Sequence, residues 1–361
     1  IMRTFLSVIL ALACSLAGLA RQIEGDSRSS DELIERAVAL MDNGAVGTAI
    51  SVLNGVLEKD STNMVARYEL GYAHYINDNM PRAIEEFSKI VGKWNYNEQV
   101  YGMLGNSYDM NGQPEKAGEV YKKGLEKFPR SAMLLNELSV LALKDEDYNK
   151  SLDYCLQGIK ANPQYSPCYF RAASLFLQSD YPAWGMVYGE MYMAMERRNG
   201  ERIKEMSRLM MDACKRCIKI EGDFAKVGFA NDTIKLSENF TPDEVSAALR
   251  RFDLAGYELG MAEAVNVAKI TAVDGESMCR VRKAFVDKIV ADSVFTEKPN
   301  PYVKHLLAVR TSGYEDAYNH FVTMGYDAPA LSKWANSHPF EWNRFADWLN
   351  AYVPDMGDGE Y

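Results

Sequence analysis

Small and large apolar residues alternate along the first half of the chain in a fixed order. In "YELGYAHYINDNMPRAIEEF", Tyr68 to Phe87, the pair Leu70-Gly71 precedes Ala83, and a large ring follows four residues later. The same order returns at Leu104-Gly105, Ala117 and Tyr121, and an equal shift finds the weaker copy Leu138-Ser139, Ser151 and Cys155. Tyr68, Tyr72 and Tyr75 lie at helical spacing around Leu70-Gly71, and Ala83, Phe87 and Ile90 mark the buried stripe of a second helix. Between them "INDNMP" predicts a turn, with Asn79 as N-cap and Pro81 in the first helical turn. Gly71 and Ala83 are small so that two helices can approach, and the Phe87 ring is expected to fill the gap to the next pair. A fixed period from Leu70 to Leu104 to Leu138 means an array of helix pairs, each burying its apolar face against its neighbours.

The second half loses the period. The stretch from Tyr181 to Glu221 predicts two long helices broken at Asn199-Gly200, read as a C-cap. Its methionines, Met186, Met191, Met195, Met206, Met210 and Met211, suit core filling or a deformable partner groove. Residues 225–237 lose helical periodicity and predict a short hairpin turned at Asn231-Asp232. Thr241, Pro242 and Glu244 then form a helix start, opening a helix to about Lys269. Helices are expected at 274–293, 301–310, 313–324 and 339–352. In the last, Trp342, Phe345, Trp348 and Tyr352 share one face and predict an aromatic core with Tyr314, Tyr318, Phe321 and Trp334.

The repeated residues resemble the tetratricopeptide repeat. The best copy, Glu98 to Ser131, carries Tyr101, Leu104, Gly105, Tyr108, Ala117, Tyr121, Gly124 and Pro129 at the family's marker positions. Copies from Met64 and Ala132 flank it, a degenerate copy begins near Ser30, and another near Ser166 runs from Pro182 past Glu196 without a proline stop. The resemblance implies an all-α fold: an α-solenoid, a right-handed superhelix of helix pairs, followed by a mostly helical C-terminal domain with one short hairpin. It also implies a concave face of first helices that takes a peptide or a partner's helix, with Tyr68, Tyr72, Asn106, Asp109, Asn136 and Val140 pointing inward. The family's carboxylate clamp is not matched, because Ile34, Tyr68 and Gly102 stand where its lysine is sought. The second half loosely resembles the C-terminal region of secreted tetratricopeptide proteins of Bacteroidota, through "YGEMYMAMERRNGERIKEMS" and "GYEDAYNHFV".

Composition narrows the class. Of 361 residues, 47% are apolar and 25% charged, as in a folded soluble protein. The net charge of −10 argues against nucleic acid and a polybasic membrane-surface role. "MRTFLSVILALACSLAGLARQ" has the pattern of a signal peptide cleaved after Ala20, with lipidation at Cys14 as a weaker alternative. The expected organisation is a signal peptide at 1–20, a linker at 21–29, about five repeats at 30–198, a helical domain at 199–354 and an acidic tail at 355–361. No later stretch is apolar enough to span a bilayer.

Chemistry is sparse. Cys155, Cys168, Cys214, Cys217 and Cys279 are an odd set, unlike a disulfide framework. "CKRC" at Cys214–Cys217 is open to four readings: a local disulfide, two inert thiols, a redox pair or half a zinc site. Its place late in a helix disfavours thiolate, and no second ligand pair stands at zinc spacing. His74, His305, His320 and His338 stand in no known nucleophile context, and no phosphate, dinucleotide or zinc-protease fingerprint occurs. No catalytic residue, metal site or cofactor is therefore expected. The expected function is that of an exported, non-enzymatic interaction scaffold whose partner is another envelope protein or peptide. The alternative is an envelope glycan-binding protein using surface aromatics such as Trp334 or Trp342. A thiol-active or hydrolytic enzyme centred on Cys214, His305 or His320 is the third reading.

Overall fold

The computed structural model describes residues 29–93, 98–221, 224–229, 254–297, 299–325 and 327–357. The signal-peptide pattern, Cys14, the Asn231-Asp232 turn and the Thr241 helix start lie outside them. The chain divides into two units at Leu141–Ala142.

The first unit contains α1 (Ser30–Asp42), α2 (Val46–Lys59), α3 (Met64–Ile76), α4 (Met80–Ile90), α5 (Gln99–Met110), α6 (Pro114–Lys127) and most of α7 (Ala132–Lys144). The period is visible in the backbone. Second helices begin at Val46, Met80 and Pro114, in equal steps. A residue of positive φ stands in the same turn of successive pairs: Gly44, Asp78, Gly112 and Glu146. Side chains satisfy the free N–H groups of helix starts, as where Ser29 and Glu32 form a capping box and Asn79 accepts from Arg82 N–H.

Gly71 and Gly105 explain the small-then-large order. A methyl group at Gly71 would lie 2.8 Å from Phe87 Cε1, and one at Gly105 would overlap the Tyr121 ring. The ring therefore sits on the glycine within its own helix pair. Phe87 also shares a core with Val100 and Leu104 of the next pair, as expected, so the ring serves both contacts.

The second unit continues with α8 (Tyr148–Ala161), α9 (Ser166–Leu177), α10 (Pro182–Met195) and α11 (Gly200–Cys217). The step of the first unit returns from Tyr148 to Pro182 and from Ser166 to Gly200. Helix α11 thus starts where the first helix of a further pair would. Asn199 is its N-cap, accepting from Arg202 N–H, and not the C-cap that the sequence suggested. The helix also ends at Cys217, and not near Glu221, because a hairpin begins there: β1 (Ile218–Glu221) pairs antiparallel with β2 (Phe224–Val227), Ile218 opposite Val227. Among the described residues this is the one short hairpin, and it stands earlier in the chain than the Asn231-Asp232 turn expected from the sequence.

Then follow α12 (Leu254–Ala268), α13 (Gly275–Ala291), α14 (Ser293–Thr296), α15 (Pro301–Ser312), α16 (Glu315–Val322), α17 (Ala328–Ser337) and α18 (Pro339–Ala351). Helix α17 was not foreseen, though Asp327 caps it and Pro329 stands in its first turn. One hydrophobic core joins α8 to α18. The methionines Met186, Met191, Met206, Met210 and Met211 are buried in it, as core filling requires. The aromatic cluster forms as predicted: Phe345 contacts Tyr314, Tyr318, Phe321, Trp342 and Trp348. Among the described residues no helix is long and apolar enough to cross a membrane.

Candidate interaction site

In the first unit the named inward residues lie on α3, α5 and α7. Tyr72 is exposed. Tyr68 is half-buried, its ring edge-on to Phe87 at 5.6 Å, so it packs within its pair as well as facing outward. Burial, with Glu69 and Tyr72 beside it, pushes the Tyr68 phenol up to about 12. Asn106 is half-buried and accepts a 2.5 Å hydrogen bond from the Tyr121 hydroxyl. Asp109 and Val140 are half-buried. Asn136 is buried, and its amide donates to Glu137 at 3.3 Å. Tyr75, Tyr121 and Glu137 join this group although the sequence did not single them out for it. Burial raises the Tyr75 and Tyr121 phenols, and the Glu137 and Asp109 carboxylates raise both further.

The second unit holds an open groove of about 1160 Å3. Phe170, Arg171 and Ser174 of α9 and Glu205 and Leu209 of α11 line it, with Tyr148 at the start of α8. Arg202 lies over the Phe170 ring at 5.2 Å. The groove therefore runs along α9 and α11, whose starts, Ser166 and Gly200, stand one repeat period apart at first-helix positions.

The residues of the enzyme reading lie elsewhere in the second unit. His305 is fully buried, hydrogen-bonded to the Tyr318 hydroxyl at 2.6 Å and to the Tyr352 hydroxyl at 3.0 Å. Beside it Arg282 donates two hydrogen bonds to Glu190, at 2.9 and 2.6 Å, and a third to Asn319 Oδ1. Tyr302 also donates to Glu190. Burial alone would raise the Glu190 carboxyl, but Arg282, His305 and Tyr302 bring it below its ordinary value. The network joins α10, α13, α15 and α16 by buried, mutually satisfied charges. Cys214 borders a neighbouring cavity of about 20 Å3, room for one water.

Cys214 and Cys217 are free thiols, and burial pushes them up to about 12 and about 11. Cys279, which sequence reasoning did not pair, has its sulfur 3.7 Å from His320 Nδ1 and 3.7 Å from Thr323 Oγ1. Burial pushes its thiol up to about 11, against activation as a nucleophile. His320 and His338 stack on Trp334, at 4.9 and 4.6 Å. His74 is half-buried in α3. Among the described residues no group of His, Cys, Asp and Glu could hold a metal ion.

A family model, the tetratricopeptide repeat, matches residues 34–98 and 103–166. These segments are tetratricopeptide repeats. Comparison with curated proteins finds no match. Among solved structures, a thermophilic tetratricopeptide protein of Thermus thermophilus is 15% identical, with a TM-score of 0.43 over 51% of this chain and 100% of that one. Pseudomonas aeruginosa pilF is 16% identical, with a TM-score of 0.45 over 52% and 83%. A tetratricopeptide repeat protein from Parabacteroides merdae is 14% identical, with a TM-score of 0.41 over 84% and 96%.

Proposed function

We propose that this tetratricopeptide protein is an interaction scaffold, whose first-helix surfaces hold a peptide or helix of a partner protein. The groove of about 1160 Å3 along α9 and α11 carries the reading. It is large enough for several side chains, and it is lined by a mixture of aromatic, aliphatic and charged groups suited to a peptide. The neighbourhood of Tyr68, Tyr72, Asn106, Asp109, Asn136 and Val140 is the second contact region, with exposed Tyr72 supplying amphipathic contact area. The N-terminal pattern at 1–20 supports export, and so a partner in the cell envelope.

The test is capture from the native cell envelope by the protein carrying residues 21–361, followed by mass spectrometry. Ser174→Arg fills the groove, and Tyr72→Ala removes an exposed ring without touching the core. The expected result is one dominant protein, depleted by either change at unaltered helical content. Undiminished capture by both variants refutes the assignment.

One observation favours glycan binding as a second reading. Phe340 is 86% exposed at the start of α18, near half-buried Trp334 and Trp342. Retention of envelope polysaccharide, lost in Phe340→Ala, would support it.

A further inference from the structure

The residues that follow α18 are held as a bound peptide would be. Tyr352 to Met356 form neither helix nor strand, and their burial alternates: Tyr352 is half-buried, Val353 exposed, Pro354 buried, Asp355 exposed and Met356 buried. A period of two marks an extended segment with one face against the protein. The inward face is aromatic or apolar. Met356 enters the core of the second unit, and Tyr352 stacks on Trp348 at 4.6 Å while its hydroxyl meets His305 Nδ1 at 3.0 Å. The main chain is held as well. Arg197, just after α10, donates to the Tyr352 carbonyl at 3.2 Å, and Gln164, just before α9, donates to the Pro354 carbonyl at 3.0 Å. On the outer side Lys304 of α15 pairs with Asp355 at 2.8 Å. Main-chain hydrogen bonds plus seats for alternate side chains are how folded proteins recognise extended peptides.

We infer that the slot formed by the α8–α9 turn, the end of α10 and α15 is a peptide site that residues 352–356 fill in cis, and that it takes a partner's extended segment of the same pattern. That pattern is an aromatic ring, an apolar residue two positions on, and a second apolar residue four positions on, with a carboxylate between the last two. Gln164, Arg197 and Lys304 do not line the groove along α9 and α11, so the two sites can be tested apart. The chain's own segment and the partner's compete, and the affinity of wild type is reduced by the fraction of chains whose slot is open.

A fluorescein-labelled peptide of residues 351–357, titrated into full-length chains, tests it. Pro354→Ser/Met356→Ser empties the slot, and this chain is expected to bind the peptide at least about tenfold more tightly than wild type. A peptide carrying Met356→Ser should bind the same chain more weakly by about thirtyfold or more. Lys304→Glu changes one half-buried side chain outside the core. It should prefer a peptide carrying Asp355→Lys to the native one, where wild type prefers the native one, a reversal that does not depend on the double variant folding. Equal binding by wild type and the emptied chain, indifference to Met356 of the peptide or to the charge reversal, or no binding of either peptide by Lys304→Glu overturns the assignment. A wild-type dimer that the peptide dissolves gives the slot to a second copy of the chain, and overturns the partner reading.

Discussion

His305 makes the second unit sensitive to acid by an amount that can be worked out. Its ring is fully buried, and burial moves its pKa from 6.5 to about 4. Glu190 opposes the change, while Arg282 and Arg197 add to it. The folded pKa lies below the unfolded one. Above pH 6.5 neither state binds the proton, and stability is fully present. Between 6.5 and 4 the unfolded chain takes up a proton that the folded chain refuses, so stability falls as pH falls. At about 1.4 kcal/mol per tenfold change in proton affinity, the whole window is worth roughly 3 kcal/mol. The assay is urea unfolding at a series of pH values from 7.5 to 4.5, followed by tryptophan fluorescence. Trp184, Trp334, Trp342 and Trp348 all report on the second unit. His305→Gln keeps a polar group near Tyr318 but does not titrate. Its absolute stability is expected to fall, and its pH slope in this window to be shallower than wild type, the curves converging by up to about 3 kcal/mol. Parallel curves would refute the argument that a neutral, buried imidazole is part of this core.

Other changes separate packing from charge. Gly71→Ala gains about 1 kcal/mol of helix propensity but drives a methyl group to 2.8 Å from Phe87; overpacking of about 1–3 kcal/mol should win, lowering the thermal midpoint. Arg282→Met strands buried Glu190 and should cost about 3–5 kcal/mol in chemical denaturation, with Arg282→Met/Glu190→Leu recovering most of it. Glu146 has φ +59, where its period-mates Gly44 and Gly112 are glycine; Glu146→Gly should leave stability unchanged or raise it by up to about 1 kcal/mol, read by urea midpoint. At pH 7.5 both thiols of the Cys-x-x-Cys pair should react slowly with iodoacetamide, Cys214 only when the chain unfolds, because burial holds them protonated.

The repeats were legible because each marker residue answers to a local steric demand. Gly71 and Phe87, or Gly105 and Tyr121, are one contact written twice, a single period apart. The aromatic face of α18 was legible for a similar reason, since helical spacing alone aligns its rings. Helix α11 was misread at its start because asparagine serves at both ends of helices, and only the bond from Arg202 N–H decides which. The Glu190 network was not legible, because its members are brought together by packing across 92 and 112 residues of chain. Its one signal was a carboxylate in a helix otherwise apolar: every residue from Gly185 to Ala194 is buried, Glu190 included. In the interaction surface the sequence named Tyr72 and Asp109 from their helical positions. It missed Tyr75 and Glu137, whose place depends on how neighbouring helices pack.

The most direct test of the scaffold account is site-specific photo-crosslinking in the cells that make the protein. A benzophenone side chain would replace Tyr72 on the first-helix surface or, as control, exposed Lys122 on a second helix. The account predicts a defined protein adduct from position 72 and none from position 122. Equal labelling at both positions, or labelling at 122 alone, would contradict it.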